Sequence, residues 1–116
     1  MISIKSKREI DIMRAAARKL RQVFFELKDS IRPGIKAIEI DEKAEKLIRA
    51  QAAIPAFKGY RGYPRTVCIS INEEVVHGIP SSRRIRAGDI VSLDMGLVWK
   101  DFYSDSARTW PVGPPR

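Results

Sequence analysis

The hydrophobic period of this sequence changes once, near Pro55, and this change constrains the fold more than any other feature. Before Pro55, apolar residues recur every three or four positions, as on one face of an α-helix. After it, short segments alternate in polarity or are rich in β-branched and aromatic residues, as in β-strands. We therefore predict an α+β fold in which two helices cover one face of a curved, mainly antiparallel sheet.

Two amphipathic helices are predicted before Pro55. Ser6 and Glu9 have the spacing of a capping box, which satisfies backbone amides at a helix start. The first helix should end near Pro33 and Gly34, which cannot continue it. Its predicted core stripe is Ile10, Met13, Ala17, Leu20, Phe24 and Leu27. The predicted stripe of the second helix is Ile40, Ala44, Leu47, Ile48 and Gln51.

Length and composition favour one domain over residues 1–116. The chain is 44% hydrophobic and 31% charged, which fits a modest core. No apolar run approaches the roughly 20 residues of a membrane span, and the charged N-terminus is unlike a signal peptide. We therefore expect no membrane association and a cytoplasmic location. The single cysteine, Cys68, cannot form an intrachain disulfide.

Positive charge is concentrated at the N-terminus. Residues 1–36 hold ten Lys and Arg against four Asp and Glu, which accounts for most of the formal net charge of +8. Clustered cations attract nucleic acid or the ribosome, because binding to phosphates releases counterions. A solvated helix face in a basic protein explains the same pattern. The second interpretation is favoured, since no nucleic-acid motif accompanies the charge.

Two aspartates interrupt segments that otherwise indicate a strand pair. Asp94 and Asp105 lie in residues 91–98 and 102–110, which are rich in the aliphatic and aromatic residues that strands favour. Aspartate is depleted in strands, so two such exceptions close to one turn need an explanation.

A metal site is one explanation for the two aspartates. With a tight turn near residues 99–100, Asp94 and Asp105 would face each other with Cβ atoms about 4.5–5.5 Å apart. Two ionised carboxylates at this distance repel, so either one binds a proton or a cation lies between them. Carboxylate oxygens suit a divalent metal. Alternatively, both side chains point to solvent, or Asp101 and Asp105 serve turns and nearby arginines such as Arg108.

Four other side chains are candidates for a site. His77 is the only histidine, and near a metal it could carry a proton at neutral pH, although a lone loop histidine is more often a surface residue. Cys68 is either a small buried hydrophobe or part of a pocket wall. Tyr60 and Tyr63 lie beside glycines, where they either pack or form a recognition rim.

Three consecutive stretches together resemble a known family. "FKGYRGYPRTVCISINEEVVHGIP", "AGDIVSLDMG" and "FYSDSARTWPVG" are similar, in order, to the N-terminal motifs of type I methionine aminopeptidases, the pita-bread metalloproteases. The resemblance extends from the first helix to the last strand. It implies one half of a pita-bread fold, which is a pseudo-twofold arrangement of two similar halves. It also implies metal-dependent removal of N-terminal methionine from peptides.

The resemblance assigns a role to each candidate residue. Asp94 corresponds to a ligand of one metal, and Asp105 to a carboxylate that bridges two metals. His77 corresponds to a catalytic histidine that contacts the substrate near the scissile bond. Tyr60, Tyr63 and Cys68 correspond to the lining of the methionine pocket. The implied cofactor is a divalent metal, namely cobalt, manganese, iron or zinc.

The sequence departs from the family pattern in the ligands it contains. Family members have a further half with another histidine and two glutamates, whereas here His77 is the only histidine and no acidic residue follows Asp105. We therefore expect weak or no peptidase activity from this chain. We also expect a large apolar sheet face that a homodimer, or a complementary C-terminal half, would cover.

Two alternatives from other functional classes stay open. One is a non-catalytic basic module that binds the ribosome or RNA through the N-terminal helix. The other is a structural half-domain without activity.

Overall fold

A computed structural model describes residues 6–72 and 79–113. Within these ranges the elements are, in chain order, α1 (Lys7–Leu27), a 3₁₀ turn (Lys28–Ser30), α2 (Ala37–Ala50), β1 (Ile54–Pro55), a 3₁₀ turn (Tyr60–Gly62), β2 (Val67–Ile71), β3 (Ile90–Trp99) and β4 (Phe102–Pro111). Every pairing between these strands is antiparallel. The predicted α+β architecture, two helices on an antiparallel sheet, is confirmed.

Helix α1 begins at the predicted capping box and packs its C-terminal half in the core. The Ser6 hydroxyl accepts the Glu9 N–H at 3.1 Å, and the Glu9 carboxylate accepts the Ser6 N–H at 3.0 Å. The buried residues of α1 are Ala16, Leu20, Val23, Phe24 and Leu27.

The predicted stripe is wrong in the first half of α1. Ile10 and Met13 are 39% and 40% exposed, because the first turns lie beside Trp99 and Lys100, where the strands end. Ala17 is also exposed, since the buried stripe passes through Ala16 instead.

Helix α2 packs on the same side of the sheet as α1. Its buried residues are Ala37, Ile40, Asp41, Ala44 and Ile48. At its start, the Glu39 carboxylate accepts the Lys36 N–H at 2.9 Å. Ile40, Ala44 and Ile48 of the predicted stripe are therefore buried. Leu47 is partly buried and packs against the core. The helix ends at Ala50, well before Pro55.

Strand β3 is the centre of the sheet. Strands β1 and β2 lie along one of its edges, and β4 pairs with the other. The turn between β3 and β4 consists of Lys100 and Asp101, with φ angles of 49° and 68°. Positive φ at both positions is the geometry of the type I′ turn, which suits the twist of a hairpin. This turn lies one residue later than predicted.

The two faces of the sheet differ in composition. The face toward the helices carries side chains that are at most 4% exposed, namely Val67, Ile69, Ile71, Val91, Leu93, Met95 and Leu97. The opposite face, which we call the bare face, carries Ile54, Cys68, Ser70, Ile90, Ser92, Asp94, Gly96, Val98, Tyr103, Asp105, Ala107, Thr109 and Pro111. The bare face is mixed in composition: it exposes Ile54, Ile90 and Tyr103 beside polar side chains, while strand alternation directs most large aliphatic side chains toward the helices.

Among the described residues, no helix combines the length and the apolar character that crossing a membrane requires.

Candidate active site

The bare face brings the two predicted metal ligands to one side of the sheet. Asp94 on β3 is half-buried, and Asp105 on β4 is exposed. The strand register pairs Asp94 with Ala107 and Asp105 with Gly96. Because residues that pair across strands share a face, both carboxylates emerge from the same surface.

The predicted direct opposition of the two aspartates is wrong. Asp94 and Asp105 are diagonal neighbours, and such positions lie about 7–8 Å apart. The cause is the turn at Lys100 and Asp101, which shifts the register away from the one that a turn at residues 99–100 would produce. The carboxylates therefore lie farther apart, and repel each other less, than direct opposition predicted.

A cavity of about 750 Å³ lies beside Asp94. Its lining is Phe57, Tyr60, Arg61, Gly62, Tyr63, Pro64, Cys68, Ile79 and Asp94. Ligand sites typically have this size, with mainly apolar walls and a few polar groups. The cavity thus unites both predicted tyrosines, the predicted cysteine and one predicted metal ligand. Asp105 does not line it.

The loop between β1 and β2 forms one wall of the cavity. Gly59 and Gly62 have φ angles of 87° and 79°, in the left-handed region that glycine adopts without strain. The Gly59 N–H donates to the Tyr63 carbonyl oxygen at 2.7 Å, which closes the loop. Tyr60 is 64% exposed, and the Arg61 guanidinium lies 5.4 Å from its ring centroid. Tyr60 therefore forms part of a rim.

Tyr63 is a fixed part of the same wall. Its hydroxyl donates to the Val67 carbonyl oxygen at 2.6 Å. Burial raises the pKa of the Tyr63 phenol, and the neighbouring Cys68 thiol raises it further. The phenol therefore stays neutral at physiological pH, and its hydrogen bond holds the loop against β2.

Asp41 supports the site from α2, and sequence reasoning missed it. Its Oδ1 atom accepts the N–H groups of Thr66 and Val67, both at 2.8 Å. Burial raises the pKa of the Asp41 carboxyl, while the two backbone N–H groups oppose this rise. These bonds hold the start of β2, and therefore Cys68, against the helix. The signal was available, because the spacing of residues 37, 41, 44 and 48 places Asp41 on the buried side of α2.

His77 lies outside the described residues. Its assignment as proton carrier and substrate contact therefore stays a prediction.

Asp94 and Asp105 are the two predicted metal ligands, and both lie among the described residues. Within residues 6–72 and 79–113, no group of three or more His, Cys, Asp or Glu side chains is placed to hold a metal ion together. Asp94 and Asp105 nevertheless offer carboxylate oxygens, the hard donors that divalent cations prefer, from one rigid hairpin. Two carboxylates are fewer ligands than a tightly held metal centre uses. They fit a divalent cation as members of a larger set.

Comparison with known proteins identifies the family. Residues 11–116 match the metallopeptidase family M24. The chain belongs to this family. Members of M24 are metallopeptidases, so divalent metal use is a property of the family to which this chain belongs.

The M24 relatives include methionine aminopeptidases. Methionine aminopeptidase 1 from Bacillus subtilis strain 168 is 50% identical over 113 residues, which is 97% of this chain and 46% of the relative. The crystal structure of methionine aminopeptidase from Rickettsia prowazekii matches with a TM-score of 0.93 at 32% identity, over 98% of this chain and 46% of that chain.

A second crystal structure of a methionine aminopeptidase matches the chain over a similar share of its length. Methionine aminopeptidase from Thermotoga maritima matches with a TM-score of 0.91 at 39% identity, over 97% of this chain and 46% of that chain. The resemblance to about half of a pita-bread fold is confirmed. This chain spans about half the length of the curated methionine aminopeptidases that it matches.

Proposed function

We propose that this chain forms part of a site that removes N-terminal methionine from peptides by metal-dependent hydrolysis. The observation that supports this most is the lining of the cavity, because aromatic side chains and the Asp94 carboxylate face the same space. Such a cavity suits an unbranched thioether side chain, which packs well against aromatic rings. A cytoplasmic location is part of this proposal.

Each candidate residue has a role in the proposed site. Tyr63 and Cys68 form the wall against which the methionine side chain packs, and Tyr60 closes the rim. Asp94 would hold one divalent cation, and Asp105 would share it with a second. When bound, a metal such as cobalt, manganese, iron or zinc activates water and polarises the peptide carbonyl. His77 would contact the substrate beside the scissile bond and move a proton there.

Divalent metal binding provides the first test of this proposal. We expect the chain to bind Mn²⁺ weakly, and Asp94→Asn and Asp105→Asn each to reduce the affinity at least about tenfold. Asp101→Asn is the matched control, because it removes an exposed carboxylate from the turn of the same hairpin. Equal Mn²⁺ binding by all four proteins in isothermal titration would remove the assignment of the metal ligands.

Peptide hydrolysis provides the second test. Because this chain offers two carboxylate ligands from the hairpin, we expect weak or no release of methionine from a short peptide with N-terminal methionine. Rapid, metal-dependent release by the 116-residue chain would show that this expectation is wrong. Release that persists in the Asp94→Asn variant would place the activity elsewhere.

We further propose that assembly completes the site through the outer edge of β4. Within the described residues this strand pairs only with β3, so its other edge is open to a further strand. A second copy of this chain, or a complementary C-terminal half, would supply that strand. A monomeric mass at micromolar concentration in analytical ultracentrifugation, with secondary structure intact, would exclude the homodimer and leave the complementary half.

A basic groove supports a second candidate function, the binding of RNA or the ribosome. The groove, of about 590 Å³, lies between α1 and β4 and is lined by Arg18, Arg21, Gln22, Phe24, Phe25, Lys28, Arg108 and Trp110. Its lining holds four cations and no acidic residue. Phe25 is 58% exposed, which offers a surface for base stacking.

Salt dependence separates the two candidate functions. RNA binding in this groove should weaken steeply with salt, fall on Arg18→Glu and be unchanged in Asp94→Asn. Lys43→Glu, a charge reversal at an exposed position of α2, is the control. Binding that responds equally to Arg18→Glu and Lys43→Glu would reflect net charge and not the groove.

A further inference from the structure

Gly96 lies between Asp94 and Asp105, the two proposed metal ligands. It follows Asp94 by two residues on β3, pairs directly with Asp105 on β4, and is buried. Its φ angle lies outside the left-handed region, so the backbone there does not require glycine. The reason for a glycine at this position must therefore be space.

The space around Gly96 is smaller than a methyl group needs. A Cβ atom on Gly96 would lie 3.0 Å from the Ser104 carbonyl oxygen and 3.2 Å from the Cβ atoms of both Ala56 and Asp105. Contacts of this length require the neighbours to move by a few tenths of an ångström. Two of these neighbours are backbone or backbone-attached atoms of β4, and the third belongs to the segment that follows β1.

Ala56 connects this position to the cavity. Its N–H donates to the Gly96 carbonyl oxygen at 2.9 Å. The next residue, Phe57, is the first that lines the cavity. The same glycine therefore touches the start of the loop that forms the cavity wall and the strand that carries Asp105.

We infer that Gly96 is a positioning residue: the missing side chain lets Asp105 and the start of the cavity loop close onto β3 together. The close approach of the strands at Gly96 sets the position of the Asp105 carboxylate relative to that of Asp94. A site of this kind tolerates displacements of about 0.5 Å, so shifts of a few tenths consume much of that tolerance. The consequence for metal binding rests on the proposed function, whereas the consequence for geometry does not.

The test uses Gly96→Ala in the whole chain, with two readouts. Without metal, NMR follows the carboxyl carbon of Asp105 and the amides of Ala56 and Phe57. With Mn²⁺ alone, titration measures affinity. Ser92→Thr is the matched control, because it also adds one methyl group to the bare face of β3, two residues from Asp94 on its other side, and keeps the hydroxyl.

We expect Gly96→Ala to shift the Asp105, Ala56 and Phe57 signals and to weaken Mn²⁺ binding about tenfold, while Ser92→Thr does neither. Adding Ala56→Gly to Gly96→Ala removes one of the three close contacts. It should return the Phe57 signal toward its original position and leave Asp105 displaced.

Unmoved Asp105 signals in Gly96→Ala would overturn the inference, as would wild-type Mn²⁺ affinity in that variant. If the unaltered chain binds no Mn²⁺, the proposed metal site fails, but the metal-free signals still decide the role of Gly96. If Gly96→Ala is unfolded in buffer, the spectra are recorded in trimethylamine N-oxide, which favours the folded state. Failure to fold even there would also overturn the inference, because contacts of 3.0–3.2 Å predict a local shift.

Discussion

The two faces of the sheet show how one strand serves packing and chemistry together. Along β3, Leu93, Met95 and Leu97 are fully buried against the helices, whereas the alternating positions Ser92 and Asp94 are partly exposed on the bare face. Successive side chains of a strand alternate between faces. Hydrophobic burial can therefore stabilise one face while the other carries polar groups, so stability and site chemistry depend on different residues of the same strand.

The largest expected effect comes from truncating a side chain on the covered face. Leu93→Ala should reduce the free energy of unfolding by about 2–5 kcal/mol, through lost burial and the cavity left behind. Tyr103→Ala removes a larger side chain from the bare face, where Tyr103 is 75% exposed, and should change stability by less than about 1 kcal/mol. Urea denaturation compares them, and equal losses would show that the two faces do not differ in this way.

Asp41 is a charged residue that is buried among apolar side chains, and its removal should have the next largest effect. Asp41→Ala leaves two buried N–H groups, those of Thr66 and Val67, without their acceptor, which should reduce stability by about 1–3 kcal/mol. Glu42→Ala, at the next and exposed position of α2, is the control and should change little. A loss no greater than that of the control would contradict the structural role of Asp41.

The pH dependence of stability tests the same carboxyl. Because burial raises the pKa of Asp41 in the folded state, the folded chain binds this proton more tightly than the unfolded chain. The resulting stabilisation is present below the ordinary pKa of 3.8 and is lost as the pH rises through the folded value. The unfolding free energy of the original chain relative to Asp41→Asn should therefore fall as the pH rises through this window. A rise in this free-energy difference would mean that folding lowers the pKa of Asp41 and does not raise it.

Charge on the bare face should have a smaller effect. Without metal, Asp105→Asn removes one of two like charges on a shared face, so it should raise stability by about 0.5 kcal/mol at low ionic strength and by less at high salt. With Mn²⁺, the sign should reverse, because only the original chain gains stability from binding. Thermal unfolding with and without Mn²⁺ distinguishes these outcomes, and a variant that gains from Mn²⁺ as the original chain does would contradict them.

The smallest expected effect is at the hydroxyl pair on the bare face. Ser92 Oγ and Thr109 Oγ1 lie 2.8 Å apart on opposite strands. A double-mutant cycle with Ser92→Ala and Thr109→Ala should give a coupling energy of about 0.2–1 kcal/mol. A larger coupling would mean that the bare face contributes to stability more than its exposure indicates.

Periodicity predicted the helices and strands because it reports local geometry, which each segment expresses by itself. Register was predicted wrongly because it depends on where a turn falls, and "WKDF" contains neither glycine nor asparagine to mark the turn. Lys100 and Asp101 adopt positive φ without that signal. Asp94 and Asp105 nevertheless lie on one face as predicted, because moving the turn by one residue changes the register by an even number of positions.

The cavity was predicted only through resemblance, although residues 57–68 supply most of its lining. Tyr63 and Cys68 carry no signal that distinguishes a pocket wall from ordinary packing. Asp41 and Gly96 act by contact with other segments, Thr66 in one case and Asp105 in the other. Helical spacing predicts that Asp41 is buried, but the partners that Asp41 and Gly96 contact follow from tertiary packing and not from spacing.

The ten-residue β4 strand has one edge that pairs with nothing in the described part of the chain, and this has a consequence for handling the protein. An open strand can template the addition of identical strands, which leads from ordered pairs to fibres as concentration rises. Asp105 and Arg108 place charges along this strand and oppose stacking in register. Concentrated salt, which screens these charges, should therefore be the condition in which the protein precipitates.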